Sequence, residues 1–196
     1  MLACGVILCL LLGAAPRVGA GQAPDDLRPQ PSLSAQVGQM IMLGFRGLRV
    51  GPGDRIVTDI QEGRVGGVLL FDYDVKLDRP VRNIKNATQL RDLIRDLQTA
   101  ARRPLFVALD QEGGRVARLK PRHGFPAFPG ARELGKRQDP ALTRATGRDM
   151  GALLSELGFN CNLAPVVDVN VNPSNPAIGR LGRSFSREPR EVVVQA

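Results

Sequence analysis

Four runs of mainly apolar residues are spaced along the chain, at residues 40–45, 65–71, 105–109 and 159–169. Each run is apolar over most of its length and does not alternate regularly with polar positions. Runs of this kind are typical of strands that are buried on both faces of a parallel sheet. The pattern therefore predicts four parallel β-strands.

Helical patterns lie between these runs. In the first, apolar residues recur three and four positions apart, at Leu90, Leu93, Ile94 and Leu97. Asn86 and Gln89 precede them with the spacing of a capping box. A second helix is predicted to begin with Asp139 as its N-cap and Pro140 at its first position, and to end at Gly158. Its expected buried face comprises Leu142, Ala145, Met150, Leu153 and Leu157.

Strands and helices thus alternate, which is typical of an α/β fold. A TIM-type (β/α)8 barrel has eight strands and takes about 250 residues. This chain has 196 residues and four predicted strands, and its last residues follow Pro189 as a predicted helix. We therefore expect a truncated or split chain that covers about the first half of such a barrel. A complete, smaller open sheet is the alternative.

The first 20 residues predict a signal peptide. Residues 1–15 are uncharged and apolar, yet too short to span a bilayer comfortably, and small residues follow at 18–20. Residues 21–31 are polar and proline-rich, as in a linker, so residues 32–196 are expected to form the folded domain. We expect an exported protein, periplasmic or secreted, with no stable membrane partner after cleavage. A retained N-terminal anchor helix is the alternative.

Composition excludes several classes of function. The net charge is +8, but 23 of the 27 cationic residues are Arg, they are scattered along the chain, and aromatic residues make up only 4%. Nucleic-acid binders usually cluster their cations and add aromatics for stacking, so no nucleic-acid partner is expected. The chain has one His and three Cys, and only Cys161 follows the predicted signal peptide. These residues are too few for a structural zinc site.

The strongest candidate for chemistry is the segment LDQEGGRVAR, at residues 109–118. It follows an apolar strand, so its polar residues are expected at the carboxyl end of that strand, where parallel α/β folds bind their ligands. Gly113 and Gly114 permit a positive φ and a close approach of a ligand to the backbone. Asp110 and Glu112 supply acceptors for sugar hydroxyls, and arginines supply forked donors. From the residues alone, the two carboxylates are either a glycosidase acid and nucleophile pair or an Asp–Arg network that stiffens the turn.

Two further candidates are less specific. Asp168 ends the fourth apolar run, and Arg183 lies in the loop that follows, either beside a pocket or as a solvated side chain. His123 is the only imidazole and lies in a loop without an obvious orienting partner, so we interpret it as an exposed loop histidine. The sequence contains no G-x-S-x-G, P-loop or G-x-G-x-x-G motif.

Five segments together resemble glycoside hydrolase family 3, most closely its bacterial β-N-acetylhexosaminidase branch. In chain order they are QMIMLGFRG, GRVGGVLLF, PLFVALDQEGGRVARL, LGFNCNLAPVVDVN and IGRLGRSF. The resemblance implies a TIM-type barrel in which Asp110 holds sugar hydroxyls and Arg118 and Arg183 bind substrate. By this resemblance the two carboxylates bind the sugar and shape the loop, and do not form a catalytic pair.

The resemblance also implies a retaining hydrolase that releases β-linked N-acetylglucosamine from peptidoglycan- or chitin-type glycans, without metal or cofactor. The family's stretches that carry a His acid/base and an Asp nucleophile do not occur in these 196 residues, and His123 lies in no such motif. We therefore assign no catalytic residue, expect the chain alone to be inactive, and expect its partner to be the missing C-terminal half of the barrel. A non-catalytic sugar-binding remnant and a structural α/β protein remain alternatives.

Overall fold

A computed structural model describes residues 31–196. Its centre is a four-stranded sheet in which every neighbouring pair of strands is parallel, in the order β1-β2-β3-β4. The strands are β1 Met42–Gly44, β2 Gly67–Leu69, β3 Phe106–Leu109 and β4 Cys161–Asn162. The four predicted parallel strands are confirmed, although each is shorter than its apolar run. The predicted signal peptide and nearly all of the predicted linker lie outside the described residues.

One helix precedes β1, one follows each of β1, β2 and β4, and two lie between β3 and β4. They are α1 Leu33–Gln39, α2 Arg55–Gln61, α3 Ala87–Ala100, α4 Ala131–Arg137, α5 Pro140–Leu157 and α6 Pro189–Gln195. Both predicted starts are confirmed: the Asn86 side chain accepts a hydrogen bond from the Gln89 amide, and Asp139 accepts from two amides of the first turn of α5. Gly158 ends α5 with a φ of 95°. None of the helices in residues 31–196 is long and apolar enough to cross a membrane.

The main core lies between one face of the sheet and helices α2, α3 and α5. The four apolar residues of α3 are buried there, together with Val68 and Val107 of the sheet. The predicted face of α5 is only partly right. Met150 and Leu157 are buried, and Leu153 is partly buried and packs against the core. Leu154, which was not predicted, is also buried, and Leu142 stays exposed. Only the second half of α5 therefore contributes to this core, through a stripe at positions i, i+4 and i+7.

The expectation that the strands are buried on both faces is wrong for part of the sheet. Every residue of β1 is exposed, and so is 56% of Phe106 in β3. A Cβ built on Gly67 would meet Met42 and Phe106, so these two side chains lie on one face, opposite the helices. On this second face Met42 and Phe106 therefore stay accessible, whereas Ala108, two residues after Phe106, is buried.

The fourth strand is the shortest, because the chain leaves the sheet soon after Asn162. Pro165, joined to Ala164 by a cis peptide bond, has no N–H to donate to a neighbouring strand. Two side chains extend the contact of β4 with β3. Asn160 accepts from the Val107 amide (2.8 Å) and donates to the Leu105 carbonyl (2.8 Å). Asn162 accepts from the Gln111 amide (3.0 Å) and donates to the Gln111 carbonyl (3.1 Å).

Candidate functional site

Asp110 and Arg118 form an ion pair at the carboxyl end of β3. Asp110 is the first residue after the strand, and its Oδ2 lies 2.6 Å from Nη2 of Arg118. Both side chains are about one quarter exposed, at 23% and 24%. A ligand at this end of the sheet can therefore reach both an acceptor and a donor. The structure brings together two of the three residues that sequence analysis assigned to sugar binding.

The third, Arg183, binds the other carboxylate of the segment. Its Nη2 lies 2.7 Å from Glu112 Oε1, and its Nε lies 2.8 Å from Oε2, which is a bidentate pair. The Glu112 side chain is only 6% exposed. The hydrogen bond to Glu112 raises the pKa of Arg183 above its usual range. Desolvation opposes this shift, and the negative charges of Glu112, Asp110 and Asp168 add to it. This pair joins the loop after β3 to the loop after β4.

Each carboxylate of the DQEGG segment thus pairs with an arginine. This arrangement corresponds to the Asp–Arg network, one of the two alternatives that the residues alone left open. The positive φ angles that sequence analysis allowed for the two glycines are confirmed. Gly113 and Gly114 do have positive φ angles, of 87° and 58°. A Cβ on Gly113, however, would lie 2.2 Å from the carbonyl oxygen of Pro129, so the close neighbour is the chain's own backbone.

Gln111 shapes the loop that carries Arg118. Its side chain is fully buried, and its Oε1 accepts hydrogen bonds from the amides of Arg118 and Leu119, each at 2.9 Å. Its Nε2 donates to the Leu119 carbonyl at 3.4 Å. One side chain therefore fixes the backbone at the point where Arg118 turns toward Asp110. Gln111 could not be predicted from sequence, since a glutamine beside two charged residues carries no distinguishing signal.

Asp72, at the carboxyl end of β2, was also missed. Its side chain is 2% exposed and accepts hydrogen bonds from Lys120 Nζ (2.7 Å) and Arg122 Nη2 (2.6 Å). Nη1 of Arg118 lies 3.9 Å from its other oxygen. A signal was present in the sequence, because Asp72 follows the second apolar run much as Asp110 follows the third.

The interpretation of His123 as an exposed loop residue without a partner is wrong. The residue is 8% exposed and lies in a short 3-10 turn, Pro121–His123, where its Nε2 accepts from Nε of Arg122 at 3.1 Å. Burial, and then the positive charge of Arg122, lower the pKa of His123 below its usual value. A hydrogen bond between the His123 ring and the backbone of Lys85 opposes this lowering of the pKa.

The remaining candidates lie at the edge of this region. Asp168 is exposed and follows β4 by six residues, so it does not end a strand as predicted. Arg115 is exposed and donates to the Arg180 carbonyl at 2.7 Å.

A cavity of about 370 Å³ lies between α5, α6 and the segment after β4, and its lining does not include Asp110, Arg118 or Arg183. Within residues 31–196, no group of three or more His, Cys, Asp or Glu side chains could hold a metal ion.

Comparison with known families adds a decisive observation. The family described as "Glycosyl hydrolase family 3 N terminal domain" matches residues 32–196, the range that contains every residue of this site. The chain belongs to glycoside hydrolase family 3. The predicted resemblance is thereby confirmed.

Individual relatives agree with this assignment. The family 3 chain is 40% identical to β-hexosaminidase A of Pseudoalteromonas piscicida over 137 residues, which are 65% of this chain and 21% of that protein. It is 38% identical to a β-hexosaminidase of Alkalilimnicola ehrlichii over 159 residues, which are 78% of this chain and 41% of that one. The chain therefore spans less than half of the length of these relatives.

Solved structures show the same relationship. A family 3 β-N-acetylglucosaminidase from Paenibacillus sp. FPU-7 superposes with a TM-score of 0.74 at 35% identity, over 85% of this chain and 30% of that one. A β-N-acetylhexosaminidase from Beutenbergia cavernae gives a TM-score of 0.70 at 31% identity, over 85% and 48% of the two chains. These matches confirm the predicted fold class: the family 3 chain has the TIM-barrel-like α/β fold and contains only part of it.

Proposed function

We propose that this chain forms the sugar-binding part of a retaining glycosidase that releases β-linked N-acetylglucosamine from peptidoglycan- or chitin-type glycans. The observation that carries the proposal is the Asp110–Arg118 pair, accessible at the carboxyl end of β3 in a chain of glycoside hydrolase family 3. The names of its relatives, β-hexosaminidases and β-N-acetylglucosaminidases, support the amino-sugar class of substrate.

The pair is chemically suited to a sugar. A carboxylate accepts hydrogen bonds from two adjacent hydroxyls, and a guanidinium donates to the oxygens beside them. The Glu112–Arg183 pair lies behind this contact and holds the loops after β3 and β4 together. We propose that Asp110 and Arg118 contact the sugar, and that Arg183 contributes through the exposed part of its side chain.

The described residues contribute binding to this reaction, and we assign none of them a catalytic role. In the proposed reaction a carboxylate attacks the anomeric carbon and water then releases the sugar, while a general acid protonates the leaving oxygen. The chain's single histidine, His123, is buried, and its Nε2 accepts a hydrogen bond from Arg122. It therefore has no exposed nitrogen lone pair with which to accept a proton from a sugar or from water.

We also propose that the protein is exported, on the basis of residues 1–20.

Titration of the 196-residue chain with N-acetylglucosamine, followed by saturation-transfer NMR, tests the proposal. We expect saturable binding, and weaker binding of glucose. Asp110→Asn removes a charge-assisted interaction that contributes about 1.5–3 kcal/mol, so the Kd for N-acetylglucosamine should rise by roughly one to two orders of magnitude.

Asp92→Asn is the matched control. Asp92 lies on α3, outside the loops that form the site, and pairs with Arg95 at 2.7 Å. This substitution should leave the Kd unchanged. Absence of saturable binding by the wild type would refute the proposed function. An unchanged Kd in Asp110→Asn together with a lower melting temperature would show that Asp110 is structural.

A further inference from the structure

Arg118 lies between two carboxylates that come from neighbouring strands. Nη2 contacts Asp110 after β3, at 2.6 Å, and Nη1 lies 3.9 Å from Asp72 after β2. The guanidinium carbon lies 5.5 Å from the centre of the Phe71 ring. Nε is buried and has no hydrogen-bond partner among the described residues. The position of this guanidinium thus depends on charge attraction from two sides and on the aromatic ring.

Asp72 forms ion pairs with cationic side chains of the loop that carries Arg118. Arg118, Lys120 and Arg122 occur at every second residue, alternating at first with the buried Leu119. Lys120 and Arg122 donate to Asp72 Oδ2 at 2.7 Å and 2.6 Å. A carboxylate that is 2% exposed is stable only when such partners replace the water it has lost.

His123 orders the last of these cations. Its Nε2 accepts from Nε of Arg122, while Nη2 of the same guanidinium donates to Asp72. The histidine therefore fixes the orientation in which Arg122 reaches the carboxylate. Asp72 is the common partner through which the whole segment from Arg118 to His123 is held against the end of β2.

We propose that Asp72 is a positioning residue of the sugar site. Asp72 holds Arg118 in place while Asp110 accepts hydrogen bonds from the hydroxyls of a bound sugar. This inference rests on the proposed function. Without Asp72, Arg118 would have Asp110 as its only close anion among the described residues, and the sugar hydroxyls would compete with Arg118 for that carboxylate. Asp72 makes no contact with the sugar in this proposal and acts only through Arg118 and its loop.

The test compares Asp72→Asn with Asp74→Asn in the full 196-residue chain. Asp74 is a matched control because it lies two residues further along, is also buried, and also pairs with an arginine, Arg46. Both substitutions should lower the melting temperature. Only Asp72→Asn should raise the Kd for N-acetylglucosamine fivefold or more, and Asp72→Glu should recover part of that loss because it restores the charge.

A second measurement does not depend on sugar binding. In protein labelled with ¹⁵N-arginine, the Nε–H signal of Arg118, assigned with Arg118→Lys, should exchange slowly with water in the wild type and in Asp74→Asn. It should exchange at least tenfold faster in Asp72→Asn. If Asp72→Asn does not fold, Asp72→Glu is measured in its place. It keeps the charge but moves the carboxylate relative to Arg118, so its Kd and its Nε–H exchange rate should exceed those of the wild type by a smaller factor.

The outcomes separate the two proposals. Equal rises in Kd for the variants at positions 72 and 74, or an unchanged Arg118 signal in the Asp72 variants, would overturn the positioning role. If the wild type does not bind N-acetylglucosamine while the Arg118 signal responds to Asp72 alone, the proposed function fails and Asp72 still positions Arg118.

Discussion

Replacing Gln111 by leucine should destabilise the protein strongly without creating a cavity. The two side chains have similar volumes, so the main change is the loss of polar atoms at a fully buried position. In the wild type, Oε1 of Gln111 is the acceptor for the amides of Arg118 and Leu119, each at 2.9 Å. Leucine offers no acceptor in place of the lost oxygen, so both amides lose their side-chain partner.

The magnitude follows from those two amides. A buried donor left without a partner costs about 1–3 kcal/mol, and the loop can relax enough to recover part of the sum. We therefore expect the free energy of unfolding to fall by about 2–4 kcal/mol. Because the surface exposed on unfolding is nearly the same, the urea midpoint should fall by roughly 1–2 M at an unchanged slope.

Urea denaturation followed by circular dichroism measures this change, and Gln98→Leu is its control. Gln98 makes a similar pair of bonds to the backbone of Leu105, at 2.8 Å and 3.2 Å, but it is only half-buried, so water can replace them. This control should lose less than about 1 kcal/mol. Equal losses in the two variants, or a loss below about 0.5 kcal/mol in Gln111→Leu, would refute the reasoning.

Three further predictions concern backbone strain and pH. Gly113→Ala places a Cβ 2.2 Å from the Pro129 carbonyl at a φ of 87°, so it should cost about 2–4 kcal/mol of stability in urea denaturation. Gly147→Ala, in α5 with nothing within 4 Å of the new Cβ, should instead gain about 0.5–1 kcal/mol by the same measurement, and a loss would contradict the open space seen there. The pKa of His123 is lowered in the folded protein, so the unfolded chain binds a proton more readily than the folded one. The free energy of unfolding should therefore fall as the pH drops from about 6.5 to the pKa of the folded state. Since His123 is the only histidine, His123→Gln should remove that slope between pH 7 and 5, and an unchanged slope would show that another group is responsible.

The features predicted best from sequence depend on residues close together in the chain. The ends of α3 and α5 follow from Asn86, Asp139 and Gly158, because a cap is formed by side chains and amides within about four positions. The parallel strands could also be predicted, because each lies in an apolar run that does not alternate with polar positions and helical patterns lie between the runs. These are local signals, and the structure confirms them.

The features predicted worst depend on which elements become neighbours. The exposure of β1 could not be predicted, because an apolar run does not indicate whether anything packs on its second face. The role of Asp72 depends on contacts with Lys120 and Arg122, 48 and 50 residues away. His123 likewise forms a hydrogen bond with the backbone of Lys85, which is distant in the chain. Sequence analysis located the polar segment after β3 but not the carboxylate that organises it from the next strand.

The two asparagines that flank Cys161 also have a consequence for how the strands align. A two-residue strand has too few backbone bonds to specify its register against β3, and a slip by two residues would keep every side chain on its own face. Asn160 and Asn162 prevent this, because each amide fits one particular carbonyl and one particular amide of the facing segment. The alignment that places the loop after β4, and with it Arg183, beside Glu112 is therefore encoded in side chains. In this chain the N-x-N pattern that follows the helix-ending Gly158 therefore sets the strand register, although the strand itself has only two residues.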